Sequence, residues 1–243
     1  MKPTNPAVSR ADLSESIEDY LKTIYELTRA SGRASTSQIA ARMGVTPASA
    51  SGMIQKLAAT TPPLVKYEKH HGVLLTDEGE KIALEIIRYH RLLELFLQEA
   101  LGFPWDQVHE EADRLEHVIS PDFAERIARI LGEPQRDPHG HPIPSRDLTL
   151  PHETDLSLRE LRPGQRALIR RVEDEDPGLL RHLESMGLKP SVPLEVLAYS
   201  AYDGNLELLI GGRVVVLGPA ITSKIYVEVT NAAHLDLIEA DPF

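Results

Sequence analysis

His109, Asp113, Glu116 and His117 stand at positions i, i+4, i+7 and i+8 of one stretch. At about 100° per residue they span roughly 100° of a helix surface, so two imidazoles and two carboxylates crowd one side. Trp105, Val108, Ala112, Leu115 and Ile119 form an adjacent apolar stripe, centred about 100° away by the same count. Oxygen and nitrogen donors beside a buried seam are what a divalent cation requires. The plainer alternative is a solvated charged face. A third reading takes His109-Glu110-x-x-Asp113 as a relative of the zinc-protease motif, but that motif needs a second histidine where Asp113 stands. The chain is therefore not expected to be an enzyme.

The elements that must hold these groups follow from the rest of the chain. Its 243 residues suffice for one large domain or two to three small ones. With no cysteine, disulfides, zinc–thiolate sites and cysteine nucleophiles are excluded. No apolar run is long enough to span a bilayer and the N-terminus lacks a signal-peptide core, so the expectation is a soluble cytoplasmic protein. The net charge is -11, but residues 1–75 carry nine Lys/Arg against six Asp/Glu, a net of +3, leaving -14 for the remainder. A mildly basic head on an acidic body suits a DNA reader attached to a sensor.

Residues 1–12 read as a flexible arm. Ser14 caps a helix to about Ala30, with Ile17, Tyr20, Leu21, Ile24 and Tyr25 at helical spacing. A short helix over Gln38–Met43, a turn at Gly44-Val45, and a third helix capped by Thr46 with Pro47 at its first position make a helix-turn-helix. Thr46, Ser49, Ser51 and Gln55 can hydrogen-bond phosphates or base edges, and Lys56 can pair with phosphate. Thr36, Ser37 and Pro47 lie at the helix starts facing the same partner. Leu64–Lys69 and Val73–Thr76 read as a β-hairpin, a wing whose tip carries Lys69 and His70. Residues 1–76 are thus a winged helix-turn-helix DNA-binding domain.

Helical spacing continues over 77–133, with His90 and Glu94 one turn apart, and apolar helices after a winged helix suit dimerisation on two-fold operators. Proline density marks 134–154 as a linker. From 155 to 243 the texture is β: five short strands with glycine turns, and a helical turn over Pro177–Leu188, suggest a small closed barrel. The fold class is mainly α with a C-terminal all-β module.

At this point the chain resembles the metal-dependent repressors of the DtxR/MntR family. The residues that carry the resemblance are Glu18–Tyr25, the helix-turn-helix, Tyr89–Glu94 and Val108–His117, with Leu179–Leu188 matching the family's FeoA-like, Src-homology-3-like module. The match runs in family order over almost the whole chain. It implies a primary metal site of Asp19, Asp113, Glu116 and His117, and an ancillary site of His90, Glu94 and His109. Asp137 and His139 match loop positions that contribute to the second site in some members. Glu173 or Asp174 is the candidate ligand from the barrel, the register being open.

Iron-responsive members carry sulfur where this chain has Asp19 and Asp113, and carboxylate favours harder cations such as Mn²⁺. Fe²⁺, only slightly softer, stays open. Manganese-type members often place an acidic residue one turn after the Asp19 position, where Lys22 stands here, so one primary plus one ancillary ion is expected. The implied function is a manganese-responsive repressor whose homodimer binds a palindromic operator, with no membrane and no small organic substrate as partner. The alternatives are an iron-responsive repressor of the same family, and a winged-helix regulator that senses a small organic ligand and whose DNA binding ignores chelators.

Overall fold

Ile17, Tyr20, Leu21, Ile24 and Tyr25, at three- and four-residue intervals, form the buried face of helix α1 (Glu15–Ser31). The computed structural model describes residues 10, 13–68, 71–151 and 156–230. Of the expected N-terminal arm only Arg10 is among these; Lys69 and His70 lie outside the described residues.

The chain folds into two compact units. The first takes the described residues up to His90 together with Arg114–Ser120 and Pro144–Thr149. Its α2 (Thr36–Arg42) begins two residues earlier than expected from the sequence. The cause is local: Ser35 accepts from the Gln38 backbone N–H, and the Gln38 side chain accepts from Ser35 N–H, so both orphan donors are satisfied there. Thr46 caps α3 (Pro47–Ala58) by accepting from Ser49 N–H at 3.2 Å. Ala50, Ile54 and Leu57 bury one face of α3, which leaves Ser49, Gln55 and Lys56 exposed. Strands β1 (Val65–Glu68) and β2 (Gly72–Leu75) pair antiparallel in the register Val65↔Leu75, and Ala34 bridges Val73. Together these are a winged helix. Thr76 then caps α4 (Asp77–Leu101) through Gly79 N–H; the helix lies in the first unit as far as His90.

The second unit takes Arg91–Asp113, Pro121–Ile143 and the described residues from Leu150 onward. Besides the end of α4 it contains most of α5 (Val108–Leu115) and all of α6 (Pro121–Ile130). It also holds a five-stranded antiparallel sheet of β3 (Arg166–Val172), β4 (Pro193–Tyr199), β5 (Leu206–Ile210), β6 (Arg213–Leu217) and β7 (Ile225–Val229). The order is β6-β5-β4-β3-β7, so among the described residues β6 and β7 are the edges of the hydrogen-bonded ladder. Register shifts at Ile169/Arg171 and Val196/Ala198 bend the two central strands. Helix α7 (Pro177–Ser185), capped by Asp176, adds Leu180 and Leu183 to the core formed by the strands, and Trp105 reaches the same core. A short helix α8 (Pro219–Thr222) precedes β7.

The proline-dense stretch after α6 is not a loose tether over Asp137–Ile143. Asp137, His139 and Ile143 are buried, Arg136 bridges Pro142, and Val172 N–H donates to the His139 carbonyl at 2.9 Å. Gly140 makes this docking possible. Its φ is +92°, and a Cβ there would lie 2.0 Å from the Arg170 carbonyl oxygen, closer than any contact distance. Gly140→Ala should therefore lift the loop from β3 and lower the thermal midpoint of the second unit. Differential scanning calorimetry checks this; an unchanged midpoint would show that the close approach is not required.

Candidate metal centre

Among the described residues each unit holds a cluster of oxygen and nitrogen donors. In the first, α1 supplies Glu18, Asp19 and Lys22, α4 supplies His90, and the turn after α5 supplies Glu116 and His117. Ligand-type atoms of Asp19, Glu116 and His117 lie within 4.8 Å of one another. His117 Nε2 is 3.0 Å from Asp19 Oδ1 and 3.5 Å from Glu116 Oε1.

The orientation of His117 has a second cause. Its Nδ1 lies 2.6 Å from Glu18 Oε2, so a buried carboxylate accepts the Nδ1 hydrogen and directs Nε2 toward Asp19 and Glu116. Arg10 holds Glu18 in turn, with Nε 2.9 Å from Oε1, and also donates to the Glu116 carbonyl. Hydrogen bonds to Asp19 and Glu18 push the His117 imidazole up to about 10, against its partial burial. Burial would raise Glu116, but His90 and Lys22 outweigh it and hold the carboxyl below its usual range.

Glu116, 1% exposed, is the most enclosed of these carboxylates. Lys22 Nζ sits 3.0 and 2.9 Å from its two oxygens, and His90 Nδ1 lies 2.6 Å from Oε2. The structure thus brings His90, implied as an ancillary ligand, to Glu116 and Lys22. Sequence reasoning missed Glu18 and Arg10 as parts of this site. Glu18 could have been found as an acidic residue next to Ile17 on the apolar face of α1; nothing in the spacing points to Arg10.

In the second unit Glu94 is the hub. Its Oε1 is 3.1 Å from His109 Nδ1 and its Oε2 is 3.7 Å from His139 Nδ1. His139 is stacked on Trp105, and its Nε2 donates to the Trp105 carbonyl at 2.8 Å, which leaves Nδ1 to face the carboxylates. Asp137 Oδ1 accepts from the backbone N–H groups of His139 and His141, both at 2.9 Å, while Oδ2 is buried with no hydrogen-bond partner. Burial opposes a charge on His139, yet Glu94, Asp137 and Asp174 outweigh it and push the imidazole up to about 9. Asp174 faces this cluster, whereas Glu173 lies 3.8 Å from Lys224. Asp113, also of the second unit and half-exposed, has its carboxylate 3.6 Å from His109 Nε2. His141 Nδ1 lies 3.5 Å from both Asp137 and Asp174.

Of the residues expected from the sequence to meet DNA, Ser37, Thr46, Pro47, Ser49, Gln55 and Lys56 are exposed and Thr36 and Ser51 half-buried, all on α2, α3 or the cap between them. No helix among the described residues is long and apolar enough to cross a membrane.

Known families cover the same ground. Residues 12–73 match the N-terminal DNA-binding domain of iron-dependent repressors, 76–145 their metal-binding and dimerisation domain, and 156–229 the FeoA domain. The iron-dependent repressor IdeR of Mycobacterium leprae is 31% identical over 215 residues, which cover 83% of this chain and 91% of that protein. The chain belongs to the DtxR family of metal-dependent transcriptional repressors. Members of the DtxR family are DNA-binding regulators and not enzymes. The diphtheria toxin repressor of Corynebacterium diphtheriae is 32% identical over 65% of this chain and 67% of its own length. Among solved structures, a manganese-dependent transcriptional repressor in complex with manganese is 39% identical, with a TM-score of 0.81 over 88% of this chain and 100% of its own. The manganese regulator SloR is 36% identical, with a TM-score of 0.71 over 88% of this chain and 98% of its own.

Lys22 distinguishes the first cluster from a bare carboxylate site. Removing one partner of a buried ion pair costs about 3–5 kcal/mol, because the other charge is left buried. Lys22 retains some exposure, so Lys22→Met should destabilise the metal-free protein by about 2–3 kcal/mol. A divalent cation should restore part of that loss. Chemical denaturation with and without metal checks this; equal losses in both states would show that Lys22 does not stand in for the ion's charge.

Proposed function

We propose that this chain is a manganese-responsive repressor of metal-uptake genes, whose homodimer binds a palindromic operator when its metal sites are filled. The observation that carries the reading is the convergence of Asp19, Glu116 and His117 with only oxygen and nitrogen donors. Among the described residues sulfur takes no part: the sequence has no cysteine, and Met43 sulfur, 3.2 Å from the Thr23 hydroxyl, is engaged elsewhere. Hard donors favour Mn²⁺ over softer ions. The likeness to a manganese-bound repressor points the same way.

Asp19, Glu116 and His117 would hold the regulatory ion. Glu18 and Arg10 orient and brace them. Two carboxylates about 5 Å apart repel by roughly 3 kcal/mol at an effective dielectric near 20. A divalent cation reverses that sign and ties α1, which packs beneath the helix-turn-helix, to the 114–120 segment. Fixing α1 fixes the aim of α3, and in a two-fold dimer it fixes the spacing of two recognition helices. For the dimer, α6 leaves Phe123 and Ile130, two turns apart on one face, 45% and 72% exposed. Glu94, with His109 or with Asp137 and His139, would hold ancillary metal.

An iron-responsive repressor is the second reading, favoured by the IdeR likeness over most of the chain. Zn²⁺ and Co²⁺ should bind more tightly than either on affinity alone, so the response of DNA binding discriminates better than metal affinity does. Fluorescence anisotropy of duplex DNA from a manganese-transporter promoter, at fixed salt, tests both readings. Mn²⁺ should tighten binding at least tenfold over EDTA, about 1.4 kcal/mol of coupling, and Asp19→Ala should abolish that gain. A larger response to anaerobic Fe²⁺ at matched occupancy would replace manganese by iron. Sequence-specific binding that ignores EDTA would sink the metal-sensor reading and leave an organic effector.

A further inference from the structure

Helix α3 turns Ala50, Ile54 and Leu57 inward, all fully buried. At about 100° per residue, the direction opposite their mean falls between Ala48 and Gly52. Both are exposed. The crest of the helix therefore carries one methyl group and, a turn later, no side chain at all. Nothing in the described chain lies within 4 Å of where a Cβ on Gly52 would stand, and its backbone is ordinarily helical. Glycine weakens a helix interior relative to alanine. Neither crowding nor backbone geometry in the free protein requires it here.

The helix's partner supplies a reason. The second helix of a helix-turn-helix enters the major groove, and residues 12–73 match a DNA-binding domain. A helix with a bare crest can lie closer to the base edges, which brings in groups on its shoulders that would otherwise stop at the phosphates. Gln55 and Lys56 stand on those shoulders, each within about 55° of the crest by the same count, and both are exposed. They differ in what they can read. Lysine is a flexible point charge with donors only, suited to phosphate. The glutamine amide holds a donor and an acceptor in one plane, the pattern that adenine presents at N6 and N7. Ser49 and Ser51 stand further round, and the Thr46 hydroxyl caps α3, so these three suit the DNA backbone. Helix α3 contains no arginine, the commonest reader of guanine.

We propose that Gln55 is the specificity-determining residue of α3, reading one adenine in each half of the operator, and that the Ala48–Gly52 crest is what lets it reach. This rests on the operator-binding reading above and is independent of which metal activates the protein.

Duplexes selected from a random pool by the wild-type chain, at saturating Mn²⁺ and fixed salt, define the preferred half-site. It should contain an adenine whose replacement weakens binding at least about fivefold. Gln55→Ala should lose that preference alone, and Gln55→Glu should exchange it for cytosine, whose N4 donates. Lys56→Ala should weaken binding to all duplexes alike and flatten the salt dependence. Gly52→Leu should melt no lower than wild type, yet lose the adenine preference with Gln55 still in place. A half-site without such an adenine, or a preference that survives in Gln55→Ala or Gly52→Leu, would overturn the proposal; so would one that Lys56→Ala removes instead. Repeating the selection in EDTA keeps the two readings apart. The same adenine-specific profile without metal sinks only the sensor, whereas metal-dependent binding that ignores Gln55 sinks only the assignment of the reader.

Discussion

Buried carboxylates that need a cation are the constraint on which both clusters depend. Glu116 and Glu94 are 1% and 0% exposed, and neither could stay ionised there without positive charge close by. In the first unit Lys22 supplies that charge to Glu116 and Arg10 supplies it to Glu18, so this cluster is charge-compensated by its own residues. In the second unit the balance leans on His139, His141 and Arg91, and unpartnered atoms of Asp137 and His139 remain. The first arrangement suits a reversible sensor. The second leaves buried donor atoms for which the described residues supply no hydrogen-bond partner.

Position along the chain then gives this chemistry a consequence. Asp19 and Glu18 lie on the helix that packs beneath the helix-turn-helix, while Glu116 and His117 come from a turn almost a hundred residues later. An ion shared between them would add to the long-range ties that Lys22–Glu116 and Glu18–His117 already make, and a change in its occupancy would shift the aim of α3. The loop Asp137–His141 gains its fixed shape from Gly140 against β3 and from Trp105 behind His139. A FeoA-type sheet therefore bears directly on the Glu94 cluster through the strand that holds its loop.

Much of this was legible in the sequence, for physical reasons. Helix spacing of Ile17–Tyr25, the Thr46-Pro47 cap and the alternating strands of residues 166–229 reflect local rules, and they fold as read. The spacing of His109, Asp113, Glu116 and His117 suggests one helix face, but α5 ends at Leu115 and leaves Glu116 and His117 in the turn beyond it, while Asp19 is marked only through the resemblance. The ladder with β6 and β7 at its edges was not legible, since closure depends on strand bends at Ile169 and Val196 that no local signal marks. Nor was the buried path of Asp137–Ile143: prolines argue for a boundary, and only the Gly140 contact with β3 shows that the chain docks there. Arg10 and the His90–Glu116–Lys22 cluster were missed because long-range partners leave no periodic trace.

A divalent ion held by Asp19, Glu116 and His117 would tie α1 to the 114–120 segment. Hydrogen exchange at the backbone amides of α1 and of Glu116–Val118, followed in the free protein with EDTA and with saturating Mn²⁺, tests it without DNA or a dimer interface in the readout. The account predicts that Mn²⁺ slows exchange in both segments together, by similar factors, because the same opening breaks the same tie. Protection confined to one segment, or absent from both at full occupancy, would contradict it.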